Sequence, residues 1–261
     1  MARIGMARIG MARTPMEIER LAVRLRTGSP SQAADLGVRL CQQGAGDAWR
    51  CHLAVLAPVA ALSMASAQLA PWLPTLLLWW AKPWLDRTLL FVLARSAFGT
   101  RTSLRDLWHA QRSVWWSQLP GTLTLRRLSA SRAYTQPIHQ LEGQSGRALR
   151  RRVRELRRGR LGAARMLTLV FSNVELALYA GLVALALMLA PTGRDAWEAM
   201  LRWYTYSPIA ASVWLGAVPY AIVIAFLEPF YVAAGFGMYL SRRVELEAWD
   251  IEQELRHAFA Q

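Results

Sequence analysis

Lysine is nearly missing from this chain. Lys82 is the one lysine among 31 basic side chains, set against 17 acids. Cysteine is scarce too. Cys41 and Cys51 are the only two, ten residues apart, too few for a disulfide framework, and a reduced structural role is expected of them. Histidine occurs four times, at His52, His109, His139 and His257, without cysteine or carboxylate at ligand spacing, so no metal is implied. The chain holds no GxSxG, no HExxH, no Walker-type loop and no nucleophile–base pair singled out by spacing. No enzyme class and no cofactor is indicated.

What the chain has in quantity is apolar length. Of 261 residues 54% are hydrophobic, and they are gathered into long runs rather than spread as for a soluble core. The net charge of +14 lies mainly between those runs. That placement favours anionic lipid head groups over nucleic acid as the partner of the arginines.

Residues 1–15 are pentads, Met-Ala-Arg-Ile-Gly twice and then Met-Ala-Arg-Thr-Pro. The period is too short for a solenoid and there is no apolar core of a signal peptide, so a start-site extension is expected, with folding from about Met16. Residues 16–51 read as cytoplasmic juxtamembrane helices. The first is Glu17 to Arg26. The second, Gln32 to Gln43, is capped by Ser29 or Ser31, gathers Ala33, Ala34, Leu36 and Leu40 on one side, and is expected to lie on the membrane. Residues 52–95 read as a transmembrane hairpin, turning at Pro71-Trp72-Leu73-Pro74.

The segment 96–164 is a cytoplasmic loop. Ser103 starts an interfacial helix to Leu119, with Leu104, Leu107, Trp108, Trp115 and Leu119 on one face, ended by Pro120-Gly121. Residues 129–143 lack periodicity and read as irregular. Arg147 to Arg160 then forms a basic amphipathic helix, with Arg147, Arg150, Arg151, Arg154, Arg157 and Arg158 as one stripe opposite Leu149, Val153 and Leu156. Residues 165–241 supply a second transmembrane pair. Its first span carries Ser172, Glu175 and Tyr179 on one face; a short external helix follows, with Trp197, Trp203, Tyr204 and Tyr206 as an aromatic belt. The run Ser207 to Ser241, about 52 Å as a straight helix, is too long for a core of about 30 Å and should kink at Pro219 or Pro229. Residues 242–261 form an acidic amphipathic tail.

Arginine counts order these spans. Sixteen arginines lie from Arg95 to Arg165 and eight in residues 1–50; the Pro71 turn has none and 191–208 has two. Four spans with both termini inside put every arginine-rich segment in the cytoplasm, whereas one long span from His52 to Ala81 does not. The expected fold is therefore all-α: an integral membrane helical bundle of four transmembrane helices with additional interfacial amphipathic helices.

Several blocks together resemble uncharacterised multi-pass inner-membrane proteins of Gram-negative bacteria. They are Ala33-Ala34-Asp35-Leu36-Gly37, Lys82-Pro83-Trp84-Leu85-Asp86-Arg87, Gln140-Leu141-Glu142-Gly143, and Glu228 to Gly237 continuing to Arg242-Arg243 and Glu247 to Glu252. The resemblance covers nearly all of the chain after Met16. It implies the bacterial inner membrane and no established activity.

The residues of interest are the charges inside the spans, each costing roughly 2.5–3.5 kcal/mol at the centre of a membrane helix. Lys82 and Asp86 are spaced to pair along one helix. Arg87 then needs an acid, and Glu175 and Glu228 are the ones left at membrane depth. The network of Lys82, Asp86, Arg87, Glu175 and Glu228 is either a structural set of ion pairs or an ion or proton path. The arginine stripe is expected to contact anionic lipid. The functional expectation is a non-enzymatic scaffold or accessory subunit of an envelope process, with a membrane-protein partner or a homo-oligomer. The alternative is a small transporter or channel working as an oligomer.

Overall fold

A computed structural model describes residues 29–116, 119–124, 129–142, 146–189 and 196–247. Among them the regular structure is helical, without a strand. The pentads, the expected helix 17–26 and most of the acidic tail lie outside the described residues.

Among the described residues, three helical stretches are long and apolar enough to cross a membrane: Ala45–Gln68, Leu161–Leu189 and Pro208–Leu246. The first contains α2 (Ala45–Ala65), extended by a 3-10 turn at Ser66–Gln68. It pairs with α3 (Leu73–Ala97), a 25-residue helix interrupted by Lys82, Asp86 and Arg87. The second stretch is α8 (Leu161–Leu189). The third runs through α10 (Pro208–Ala211) and a π-helical stretch at Ser212–Ala217 into α11 (Val218–Glu247). Helix α9 (Ala196–Tyr206) precedes it, where a short helix was expected.

Pro219 accounts for the π-helical stretch. Its nitrogen has no hydrogen to give, so the Leu215 carbonyl one turn earlier lacks its helical donor. The Tyr179 hydroxyl of α8 donates to that carbonyl at 3.2 Å. A tyrosine from the neighbouring helix thus supplies the donor that Pro219 lacks.

Helix α11 is the axis of the molecule. Its inner half is enclosed by α1 (Pro30–Gln43), α6 (Arg132–Leu141), α3, α2 and α8, and Tyr231 through Tyr239 are all buried. Helix α1 starts with a capping box between Ser29 and Gln32, as its sequence demands. It does not lie apart on a surface. It packs antiparallel to α11, Gly37 against Ala233 and Gly237 against Ala33, so closely that a Cβ on either glycine would strike backbone. The buried face is Ala33, Gly37, Leu40 and Cys41, with Leu36 only half-buried. Small residues four apart on both helices allow this approach, which an apolar-face reading of α1 alone does not reveal.

The loop after α3 also departs from expectation. Ser103 does cap a helix, with Asp106 completing the box, but α4 stops at His109 (Leu104–His109). A π-helical stretch follows at Arg112–Trp116, and α5 (Leu119–Leu123) contains Pro120 and Gly121, where a stop was expected. Tertiary bonds override local propensity here: the Arg87 guanidinium donates to the carbonyls of Val114 and Ser113 and to the Thr122 hydroxyl, tying the segment along α3. Residues 132–141, expected to be irregular, form α6, burying Ala133, Tyr134, Pro137 and Ile138 at helical spacing against α11. Helix α7 (Gly146–Arg157) buries Leu149 and Leu156 and presents arginines outward.

Candidate functional site: a buried ion-pair cluster

Lys82 and Asp86 stand one turn apart on α3 and both point inward; their side chains are 8% and 1% exposed. Across from them α8 brings Glu175, α11 brings Glu228 and α6 brings Arg132. The Lys82 ammonium meets Glu175 Oε2 at 2.7 Å and Glu228 Oε2 at 2.9 Å. Arg132 uses Nε on Asp86 Oδ2 at 2.9 Å and a terminal nitrogen on Glu228 Oε1 at 2.9 Å. Glu228 thus bridges the two cations. The Tyr220 hydroxyl donates to the other Glu175 oxygen at 2.8 Å. The guanidinium of Arg132 also lies 5.4 Å from the centre of the Tyr231 ring, a cation–π distance, and the Tyr231 hydroxyl meets that of Thr168 at 3.0 Å.

This arrangement brings together four of the five charges expected at membrane depth and re-pairs them. Lys82 reaches across to Glu175 and Glu228, and Asp86 pairs with Arg132; they do not form the expected pair along α3. Arg87 does not join the cluster. One residue on from Asp86 it points about 100° away around the helix, toward the 112–122 segment. Arg132, from the stretch read as irregular, takes the role expected of Arg87. Its sequence signal is the helical spacing of Ala133, Pro137 and Leu141 beside Tyr134 and Ile138.

Two more residues escape a motif search. Tyr220 holds Glu175. His52, fully buried on α2, faces Ile224 and Glu228 of α11, and neither ring nitrogen makes a hydrogen bond of normal geometry.

A cavity of about 260 Å³ adjoins the cluster. Its walls come from α3 (Trp79, Lys82), α8 (Thr168, Ser172, Glu175) and α11 (Leu227, Glu228, Tyr231), and Ser129, Ala130 and Arg132 line another side. Lys82 and Glu175 span the gap between α3 and α8. Among the described residues no group of three or more His, Cys, Asp or Glu is placed to hold a metal ion.

The arginine stripe forms a second charged surface. Arg147, Arg150, Arg151, Arg154 and Arg158 are exposed, whereas Arg157 turns partly inward and donates to the Ser131 hydroxyl at 3.4 Å. Arg152, outside the expected stripe, pairs with buried Glu142 at 2.9 Å, and Tyr239 donates to the same carboxylate at 3.0 Å. At the start of the acidic tail Glu245 meets Arg160 at 2.9 Å and Arg242 at 2.8 Å. Both cysteines are free and buried, and burial pushes the Cys41 thiol up to about 12.

No protein-family model, curated protein or solved structure matches this chain.

Proposed function

We propose that this chain is a four-span protein of the bacterial inner membrane, with both termini cytoplasmic, that acts by assembly as a non-enzymatic scaffold or accessory subunit of an envelope process. The fourth span of this reading is α3, whose charges exclude it by composition but whose 25 residues reach about 37 Å. The observation that carries the reading is the pairing of Lys82, Asp86, Arg132, Glu175 and Glu228 across four separate helices. Ion pairs placed between elements set register and orientation. In this reading they hold the helices to one shape. Around that frame α8 offers an apolar outer face, with Met166, Leu169, Leu176, Leu185 and Met188 exposed. On the cytoplasmic side α7 offers cations to anionic head groups. The resemblance to uncharacterised inner-membrane proteins agrees with this placement and adds no activity.

A second reading, a small transporter or channel working as an oligomer, has one observation in its favour: the cavity beside Lys82 and Glu175. Reconstitution separates the two. The assembly reading expects no ion or proton flux in proteoliposomes, together with crosslinking from Leu176 or Leu185 to one discrete membrane partner or to a second copy. Flux that is lost in Glu175→Gln, without such an adduct, would replace it with the transport reading.

A further inference from the structure

The cluster holds an odd number of charges. Around Glu228, α3 contributes Lys82 and Asp86, α6 contributes Arg132, α8 contributes Glu175, and α2 contributes His52; Tyr220 and Tyr231 face it from α11 itself. Among the described residues, two permanent cations stand against three carboxyl groups. Fully ionised, with a neutral imidazole, the site carries one uncompensated negative charge among side chains that are mostly buried. Such a charge is costly in a low-dielectric interior, and buried groups neutralise instead.

Geometry says where the compensating proton goes. The Arg132 guanidinium gathers Asp86 Oδ2 and Glu228 Oε1 around itself at 2.9 Å each. One guanidinium thus holds an oxygen of each acid, which brings the two carboxyl groups side by side. Among the described residues neither oxygen of Asp86, on a side chain 1% exposed, accepts a well-formed hydrogen bond. Carboxyl oxygens hydrogen-bond to one another only with a proton between them. Like-charged carboxylates that share a site hold such a proton. One proton also balances the account: Lys82 and Arg132 against Glu175 and a singly protonated Asp86–Glu228 pair sums to zero. We infer that the cluster is a proton-binding site in which Asp86 and Glu228 share one exchangeable proton. The inference goes beyond assembly and holds whether or not the protein carries a flux. The adjoining cavity gives water a way to reach the site.

The test is infrared spectroscopy of the full-length protein in detergent at about pH 7.5, where ordinary carboxyl groups, which ionise near 4, are deprotonated. The expected result is one carbonyl band of a protonated carboxylic acid, shifted in D₂O. The band should disappear in Asp86→Asn and persist in His52→Asn. Because Asn carries N–H in place of the acid proton, Asp86→Asn should keep the wild-type melting temperature at that pH, where Glu175→Gln lowers it. At alkaline pH the wild type should lose stability and Asp86→Asn should not. A folded wild type without the band overturns the inference, as does a band that survives in Asp86→Asn. So does an Asp86→Asn protein that melts as far below wild type as Glu175→Gln. A melting temperature that rises with sodium over choline at fixed ionic strength, without the band, would assign the site to a metal cation instead.

Discussion

Lys82 sits between two carboxylates, Glu175 and Glu228, and pairs with both. Removing one member of a buried ion pair leaves its partners charged and desolvated, at a cost of roughly 3–5 kcal/mol. Lys82→Met should therefore lower the denaturation midpoint far more than Tyr220→Phe, which removes one hydrogen bond worth about 1 kcal/mol. Denaturant titration in detergent would show the difference, and equal effects would mean that Glu175 is held by solvent. Lys82, Asp86, Glu175 and Glu228 were legible in the sequence because each interrupts an apolar run. Which of them pair was not. An i, i+4 spacing suggested Lys82 with Asp86, but pairing across helices is decided by depth and rotation, which sequence spacing does not encode. Arg132 was illegible for another reason: its helix sits within a polar loop where no apolar background sets a charge apart.

At the scale of elements, the contact between α1 and α11 rests on missing side chains. Gly37 and Gly237 each lie where a Cβ would strike the backbone of the other helix. Gly237→Ala should push the helices apart and cost about 1–3 kcal/mol, the usual range for overpacking. Proteolysis should then cut near α1 at lower protease concentration than in the wild type, and an unchanged digestion pattern would place the strain elsewhere. Helix existence was the legible part of the fold. Apolar length marked α2, α8 and α11, and Ser29 and Ser103 marked two starts. Helix partners were less legible, because Ala33, Gly37, Ala233 and Gly237 look unremarkable until two backbones are seen to touch. The π-helical stretches were less legible, since a bond from another element meets a carbonyl in each, Tyr179 to Leu215 in one case and Arg87 to Ser113 in the other.

For the whole molecule, the basic surface and the apolar helices belong to one question of membrane placement. Five exposed arginines, four on α7 and Arg158 just after it, each worth about 1 kcal/mol near an anionic surface, should make association with anionic vesicles salt-dependent. Replacing Arg147, Arg150, Arg151, Arg154 and Arg158 with Gln should remove most of the difference between anionic and neutral nanodiscs in melting temperature. Arg157, tied to Ser131, should matter less to lipid and more to folding. The bridge between Lys82 and Glu175 has a consequence in time as well. Its partners are 93 residues apart in the chain, and Glu228 comes later still. At roughly 5–20 residues per second, α3 exists for about 5–20 seconds before its first acidic partner on α8 is synthesised. During that interval the ammonium of Lys82 has neither Glu175 nor Glu228. The helix that anchors the finished cluster is thus one whose charge must wait for partners supplied late in synthesis.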